Sequence, residues 1–424
     1  MSEVILKPGR EKSVHKHHPW VFSGAIDRIR GNAVDGEVVE VIASDGTWLA
    51  RGTINRRSQI VVRFLTWSED ERINEEFWCS RLKRALAGRA MLAADSQTTA
   101  YRLVNAEGDG LPGLVMDRYS DWLVMQSLTL GIETYKKQIV EQISSLFPAR
   151  GIYERSDAEV RAKEGLAKST GVISGDQPPG LIEISENDLR FLVDVRHGHK
   201  TGFYLDQREN RRKATPYLQK GNVLNCFSYT GAFSVYALAA GAESVTNIDT
   251  SEDVLQLARR NININRSSYG KFEEAGQYQS SGNSLSSDDN ILQSSQGDIA
   301  AKYITGDVFT ELRRFRAEGY KFDAVILDPP KFAQNDRQLM HAARGYQYIN
   351  RLAMSIIQSG GVLVTFSCSG LVSTDLFQKI IFSASLEAER EVQILERLGQ
   401  PSDHPILITV PETEYLKGLI CRVW

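Results

Sequence analysis

The pattern of apolar and polar positions divides the chain into three regions. Residues 1–73 alternate apolar and polar positions in short runs, such as GEVVEVIASDGTWLARGTI with its DG turn and QIVVRFLTW after it. This alternation predicts short strands joined by tight turns, and we expect a small β-barrel. Asn74 can cap a helix, and Trp78, Leu82 and Leu86 recur on one face behind it. A helix is therefore predicted to lead into a second module.

The remaining two regions differ in how strands and helices alternate. Residues 74–185 combine the helix TYKKQIVEQISSLF with several strands, which predicts a central α+β domain. In residues 186–424, the apolar strands NVLNCFS, SVTNID, FDAVILDPP and GVLVTFSCS alternate with helical segments. Such strands predict a parallel sheet covered on both faces. The polar stretch 267–300 is interpreted as a flexible surface insertion. The predicted fold class is a multidomain α/β and α+β chain.

Composition limits the classes of function. The 424 residues are 42% hydrophobic and 24% charged, and the formal net charge is -3, so we expect any RNA contact to be local rather than due to bulk charge. The four cysteines are widely spaced and form no ligand cluster, which indicates reduced thiols in the cytoplasm and no metal site. We expect no signal peptide and no membrane span, because no apolar stretch is long enough.

The strand NVLNCFSYTG runs directly into a helix and predicts a nucleotide-type site. A tight turn at Gly231 opens that helix, and Asp249 stands roughly 20 positions on, where a carboxylate can accept both ribose hydroxyl protons. The turn after this strand lacks both a GxGxxG motif and a GKS/T phosphate grip. A nucleoside ligand without phosphate therefore fits best, and we expect S-adenosylmethionine.

Two further carboxylates follow later strands. Asp307 in YITGDVF is placed to face an adenine, and Asp328 in VILDPPKF precedes two prolines that fix a turn able to present a planar base. Asp249 and Asp307 could equally be helix caps or surface acids. Lys331 is either an RNA phosphate contact or a solvated side chain. The cofactor contacts predicted from this region are Asn225, Phe227, Ser228, Tyr229, Thr230, Gly231, Asp249, Asp307 and Asp328.

The stretch TFSCSG places Cys368 between two small hydroxyl residues at the end of an apolar strand. Its thiol is either a small core filler, which is common for cysteine, or a nucleophile. Cys226 and Cys421 are interpreted as packing residues, and Cys79 lies on the helix after Asn74.

Several motifs together resemble the bacterial class I methyltransferases that make 5-methylcytosine in 23S ribosomal RNA and carry an N-terminal PUA domain. They are GREKSVHKHHPWVFSGAI, HKTGFYLDQRENR, NCFSYTGAFS, DPPKFA, FSCSG and YLKGLICR, and they span nearly the whole chain apart from the insertion. The resemblance implies a PUA barrel over 1–73, a linking domain over 74–185 and a Rossmann-like methyltransferase domain over 186–424.

The resemblance also implies partners and site residues. The implied partner is 23S ribosomal RNA or a large-subunit precursor, and a homodimer is left open. The candidate RNA contacts are Lys7, Arg10, Lys12, Lys16, Trp20 and Lys331. Trp20 and Phe22 are equally readable as core residues, and that interpretation is favoured for Phe22. The segment GFYLDQREN adds Tyr204, Asp206, Gln207 and Arg208 as cofactor contacts, although Asp206 could instead cap a helix.

Cys368 would then act as the nucleophile. Carbon 5 of cytosine is weakly nucleophilic until a thiolate adds to C6, and the resemblance implies that Asp328 hydrogen-bonds the cytosine edge. The chain has no second cysteine in its DPPKF motif, so the base that removes the C5 proton is unassigned. One alternative is an RNA methyltransferase acting on an exocyclic amine, which needs no thiol. Another is a noncatalytic RNA-binding assembly factor that keeps the fold.

Overall fold

The computed structural model describes residues 2–269, 300–332 and 338–424. The interpretation of 267–300 as a flexible insertion therefore falls almost wholly outside the described residues. The chain divides into two compact units. Unit 1 comprises Met1–Asp188, Val193–Asp206 and Pro401–Glu414, and unit 2 comprises Leu189–Leu192, Gln207–Gln400 and Tyr415–Trp424.

The first part of unit 1 is a six-stranded sheet in the order β2-β6-β5-β4-β1-β3. The strands are β1 (Glu3–Leu6), β2 (Trp20–Phe22), β3 (Ile26–Arg30), β4 (Val38–Ile42), β5 (Trp48–Ile54) and β6 (Ile60–Thr66), with one helical turn, α1 (Lys12–His15). Alternate side chains such as Val39 and Val41 of β4 are fully buried in one apolar cluster. The period-two pattern of the sequence therefore does correspond to a core-facing side of each strand.

The second part of unit 1 is a five-stranded sheet in the order β11-β10-β9-β8-β7. Its elements are α2 (Glu75–Ala87), α3 (Ala90–Ala94), β7 (Ala100–Asn105), β8 (Leu114–Tyr119), β9 (Trp122–Ser127), α4 (Leu130–Leu146), β10 (Gly151–Ser156), α5 (Val160–Lys163) and β11 (Ser169–Gly175). The strands β12 (Ile182–Glu186) and β13 (Leu189–Val193) follow along the chain, and Leu189–Leu192 of β13 belong to unit 2. The predicted helix after Asn74 is confirmed, because the Asn74 side chain accepts a hydrogen bond from the Phe77 amide at 3.0 Å.

Unit 2 contains a seven-stranded sheet in the order β16-β15-β14-β17-β18-β20-β19. Its elements are α6 (Arg208–Ala214), β14 (Asn222–Cys226), α7 (Ala232–Ala240), β15 (Ser244–Asp249), α8 (Glu252–Ile264), β16 (Ala300–Thr305), α9 (Val308–Ala317), β17 (Phe322–Leu327), α10 (Leu339–Ile356), β18 (Ile357–Ser367), α11 (Thr374–Glu387), β19 (Val392–Gly399) and β20 (Lys417–Val423). The strands β14 to β18 pair in parallel, and β20 runs antiparallel to β18 and β19. This confirms the predicted parallel α/β region.

The strand register brings the ends of the parallel strands to one edge of the sheet. Cys226 of β14 pairs with Ile248 of β15 on one side and with Leu327 of β17 on the other. The residues that directly follow Cys226, Ile248 and Leu327 are Phe227, Asp249 and Asp328, respectively. Strand order reverses between β14 and β17, which is where open α/β sheets bind ligands.

Candidate active site

The loop after β14 has an unusual backbone. Phe227, Tyr229 and Gly231 adopt positive φ angles of 57°, 46° and 74°, so every second residue of the loop is left-handed. The Asp249 carboxylate accepts a hydrogen bond from the Tyr229 amide at 2.9 Å. This bond ties the loop to the end of β15 and helps to hold a conformation that is costly for residues other than glycine.

Two hydroxyl groups in this loop are buried. Ser228 is 7% exposed and Thr230 is 2% exposed. Neither Ser228 Oγ nor Thr230 Oγ1 has a hydrogen-bond partner among the residues that the structure describes. Buried polar groups normally have partners, so these two hydroxyls are suited to accept or donate hydrogen bonds to a ligand.

Asn225 lies beneath the loop. It is 1% exposed, and its Nδ2 donates to Ser234 Oγ at 3.0 Å, which in turn donates to Asn247 Oδ1 at 2.6 Å. The chain of bonds links β14, α7 and β15 across the base of the site. We therefore interpret Asn225 as a support for the loop, and a direct cofactor contact from this residue stays a prediction.

Asp307 is a helix cap, as the alternative interpretation of the sequence allowed. It precedes α9, and its Oδ1 accepts hydrogen bonds from the amide and the hydroxyl of Thr310, both at 2.9 Å. Capping uses only one oxygen of the carboxylate, so the other oxygen is available for further partners. A contact between Asp307 and an adenine stays a prediction.

Asp328 is held by a polar network at the end of β17. Gln207 Nε2 donates to Asp328 Oδ2 at 3.0 Å, and Asn210 Nδ2 donates to Gln207 Oε1 at 2.6 Å. Gln207 and Asn210 are both buried on or beside α6. The network fixes the direction of the carboxylate, and it leaves the half-buried Asp328 accessible at the sheet edge. Asn210 is not predicted from the sequence, because an asparagine at this position does not by itself indicate a hydrogen bond to Gln207.

Cys368 differs from the two buried cysteines of the same unit. Its thiol is half-buried, and its Sγ donates to the Pro329 carbonyl oxygen at 3.8 Å, which connects the turn after β18 with the DPP turn after β17. Burial raises the pKa of the Cys226 thiol far above its usual range and raises the pKa of Cys421 to about 12. Those two thiols are therefore protonated packing groups, as the sequence predicts.

The segment GFYLDQREN is divided between the two units. In unit 1, Tyr204 contacts the His199 ring edge-on with centroids 6.3 Å apart, and Asp206 pairs with Lys200 at 2.5 Å. In unit 2, Gln207 is the N-cap position of α6 and Arg208 is buried in its first turn. Asp206 is therefore not the cap of this helix. The cofactor roles of Tyr204, Asp206 and Arg208 stay predictions.

The interpretation of Phe22 as a core residue is wrong. Phe22 is 50% exposed on β2, which is an edge strand of the six-stranded sheet. Its ring meets Trp20 edge-on with centroids 6.4 Å apart, and Trp20 Nε1 donates to Glu107 Oε1 at 3.1 Å. An edge strand this short leaves one side chain without core to cover it. The predicted RNA contacts Lys7, Arg10, Lys12, Lys16 and Lys331 are all exposed.

The described residues contain no group of three side chains able to hold a metal ion. Within the same residues, no helix has the length and apolar character needed to cross a membrane.

Curated relatives named ribosomal RNA large subunit methyltransferase I match the chain almost end to end. The relative from Shewanella denitrificans is 47% identical over 422 residues, covering 99% of this chain and 99% of its own. The relative from Aeromonas salmonicida is 47% identical over 419 residues, covering 99% of this chain and 98% of its own. The chain belongs to the ribosomal RNA large subunit methyltransferase I family. This confirms the family to which the sequence motifs pointed.

Domain and fold comparisons agree with membership of the ribosomal RNA large subunit methyltransferase I family. The family model of a PUA-like domain matches residues 4–67, and that of an S-adenosylmethionine-dependent methyltransferase matches residues 163–283. A methyltransferase crystallised with SAH has a TM-score of 0.80 at 22% identity, covering 100% of both chains. A methyltransferase from Streptococcus mutans has a TM-score of 0.79 at 21% identity with the same coverage. The chain is an S-adenosylmethionine-dependent methyltransferase with a PUA-like N-terminal domain.

The residues of unit 2 fit that cofactor. The loop after β14 offers the hydroxyls of Ser228 and Thr230, which have no partner in the described part of the chain. A Cβ added at Gly231 would come within 2.9 Å of Ala258 Cβ, so glycine is required where the loop enters α7. Asp249 stands at the neighbouring strand end, where a carboxylate suits a ribose.

Proposed function

We propose that this protein methylates carbon 5 of a cytosine in large-subunit ribosomal RNA, with Cys368 as the nucleophile. The observation that carries the proposal is the pairing of a half-buried thiol with the DPP turn, since Cys368 Sγ lies 3.8 Å from the Pro329 carbonyl oxygen and Asp328 is the residue before Pro329. The names of the relatives, all ribosomal RNA large subunit methyltransferase I, support the substrate class.

The chemistry requires a thiol because cytosine C5 does not attack a methyl donor unaided. The Cys368 thiolate adds to C6, which forms a C–S bond and makes C5 enamine-like. S-adenosylmethionine supplies an electrophilic methyl group. Loss of the C5 proton to a base then restores the double bond, and the C–S bond breaks to return the thiolate. One proton is released overall.

Asp328 would act on the edge of the base, while Cys368 acts on C6. Its carboxyl group hydrogen-bonds the cytosine edge and stabilises the adduct as N3 gains a proton. The Gln207 bond keeps that carboxyl group oriented before the substrate arrives, which reduces reorganisation during the reaction. The target cytosine has to leave its stack to reach a strand-end crevice, which favours an RNA loop over a regular duplex.

The test is to map the methyl group by mass spectrometry in ribosomal RNA treated with labelled S-adenosylmethionine and either wild-type protein or Cys368→Ala. We expect label on cytosine C5 with wild-type protein and none with Cys368→Ala. Cys79→Ala is the matched control, because Cys79 is also half-buried but lies on α2 in unit 1, and it should methylate normally.

Three results would overturn the proposal. Label on an exocyclic amine would favour the amine methyltransferase, which needs no thiol. Full activity of Cys368→Ala would remove the adduct mechanism whatever the position of the label. Failure of every sample to bind the cofactor would favour the noncatalytic assembly factor.

A further inference from the structure

Lys417 is a buried cation beside the turn after β18, residues 368–370, which we call the Cys368 turn. Strand β20 runs antiparallel to β18, and their register pairs Lys417 with Ser367, the residue before Cys368. Lys417 is only 5% exposed. Its Nζ donates to the Ser369 carbonyl oxygen at 3.0 Å and to the Tyr415 carbonyl oxygen at 3.2 Å. The ammonium is thus held against the residue that directly follows the candidate nucleophile.

Burying a lysine at this position costs free energy of desolvation that burying an apolar side chain would not cost. Lysine is among the residues least often fully buried, and an ammonium removed from water needs polar partners. The two carbonyl oxygens supply such partners and fix the side chain in place. A thiolate forming on the same turn would gain from the nearby positive charge, because an opposite charge favours the ionised form of a thiol.

We propose that Lys417 is a positioning residue that holds the Cys368 turn and favours the thiolate needed for attack on cytosine C6. The inference rests on the proposed function, which gives the thiol its nucleophilic role. The step is an acid–base reaction in which Cys368 Sγ loses its proton to solvent. No electrons are transferred, and the proton is regained when the thiol is expelled and reprotonated.

Two further titratable groups of unit 2, Asp328 and Tyr346, lie near this turn. Asp328, at the end of β17, is an acidic group whose negative charge opposes thiolate formation at Cys368. Tyr346, on α10, is neutral at working pH, because burial raises its pKa to about 12. Lys417 on β20 supplies positive charge that offsets Asp328.

The experiment is the pH dependence of Cys368 alkylation by iodoacetamide in RNA-free protein, with each cysteine read separately by peptide mass spectrometry. We expect the wild-type midpoint to lie below about 8.5, the ordinary value for cysteine. Lys417→Met keeps an unbranched side chain that is one atom shorter and removes its charge, and it should raise the midpoint by about one unit. Lys417→Arg should stay near wild type. Cys79, on α2 of unit 1, is the internal control and should not change between variants.

Two outcomes would overturn the inference. A wild-type midpoint at or above about 8.5 would do so without any variant, so the test does not depend on the folding of Lys417→Met. An unchanged midpoint in Lys417→Met with a wild-type circular dichroism spectrum would do so as well. Failure of the proposed function gives a different result, namely full methylation by Cys368→Ala, because alkylation requires no substrate.

Discussion

The strand-end edge of the seven-stranded sheet and the N-terminal basic segment, residues 7–22, carry functional candidates in two different ways. At the strand-end edge, side chains are buried or half-buried and linked by hydrogen bonds, as the buried Gln207 links to the half-buried Asp328 at 3.0 Å. In the basic segment, the charged candidates Lys12 and Lys16 are exposed, and Phe22 of the same segment is half-exposed. The strand-end edge holds a few groups in fixed directions. The basic segment presents exposed positive charges and one exposed aromatic ring.

The difference predicts two separable kinds of effect. Oriented groups at the strand-end edge should govern the rate of the chemical step, because preorganised groups act on the transition state. Exposed cations and aromatic rings should govern RNA affinity, because phosphate contacts and stacking form equally in the ground state. Changes at the edge should therefore lower kcat, and changes in the basic segment should raise KM.

After the complete loss of methylation expected of Cys368→Ala, the largest effect is expected from Asp328→Asn. The substitution keeps the shape of the side chain but removes the carboxyl group that would stabilise the adduct, so kcat should fall by on the order of 10² to 10⁴. Binding of SAH, measured by calorimetry, separates the two predicted roles of Asp328: the affinity is unchanged if the carboxyl group acts on the base alone and falls if it also contacts the cofactor. Asp323→Asn, near the opposite end of the same β17, is the matched control and should keep kcat. A wild-type kcat for Asp328→Asn would contradict the assignment.

The next effect is expected from Phe22→Ala. Stacking of a base on an aromatic ring contributes about 1 to 3 kcal/mol, so KM for RNA should rise roughly 5- to 150-fold while kcat stays constant. Phe382→Ala is the matched control, because Phe382 is 60% exposed on α11 of unit 2. Steady-state kinetics with an RNA fragment would measure both variants. Equal KM values for the two variants would contradict a stacking contact between Phe22 and an RNA base.

A smaller effect is expected from Gly231→Ala. The positive φ of 74° strains any other residue, and the new Cβ would lie 2.9 Å from Ala258 Cβ. The strain should lower the free energy of unfolding by about 1 to 2 kcal/mol, and displacement of the loop should weaken SAH binding. Gly319→Ala is the control, since Gly319 has a φ of 76° with no described atom within 4 Å of the added Cβ. Unchanged SAH affinity in Gly231→Ala would remove the loop from the cofactor site.

The smallest effect is expected from Lys12→Gln combined with Lys16→Gln. Each lost phosphate contact should reduce the slope of log affinity against log salt by about 1, with only a few-fold change in affinity at moderate salt. Lys137→Gln is the control, because Lys137 is 91% exposed on α4, outside the basic segment. Filter binding at several salt concentrations would measure the slopes. Equal slopes in all three proteins would exclude the two lysines from the RNA contact.

The comparison also explains which features were readable from the sequence. Asp249, Asp328 and the Cys368 turn follow apolar strands directly, and parallel strands bring such positions to one edge by register. The exposure of Phe22 was not readable, because an apolar residue in a three-residue edge strand does not reveal which side meets the core. Lys417 was missed for a different reason. Its relation to Ser367 depends on antiparallel pairing between strands far apart in the chain.

The central claim is a covalent bond between Cys368 and cytosine C6. The most direct test is to incubate the wild-type protein and S-adenosylmethionine with large-subunit ribosomal RNA that contains 5-fluorocytosine. Fluorine cannot leave as a proton does, so the methylated adduct cannot resolve. We predict a stable protein–RNA complex whose digest carries the modified nucleotide on the Cys368 peptide. Methylation of normal RNA with no such complex, or a complex attached to another residue, would contradict the account.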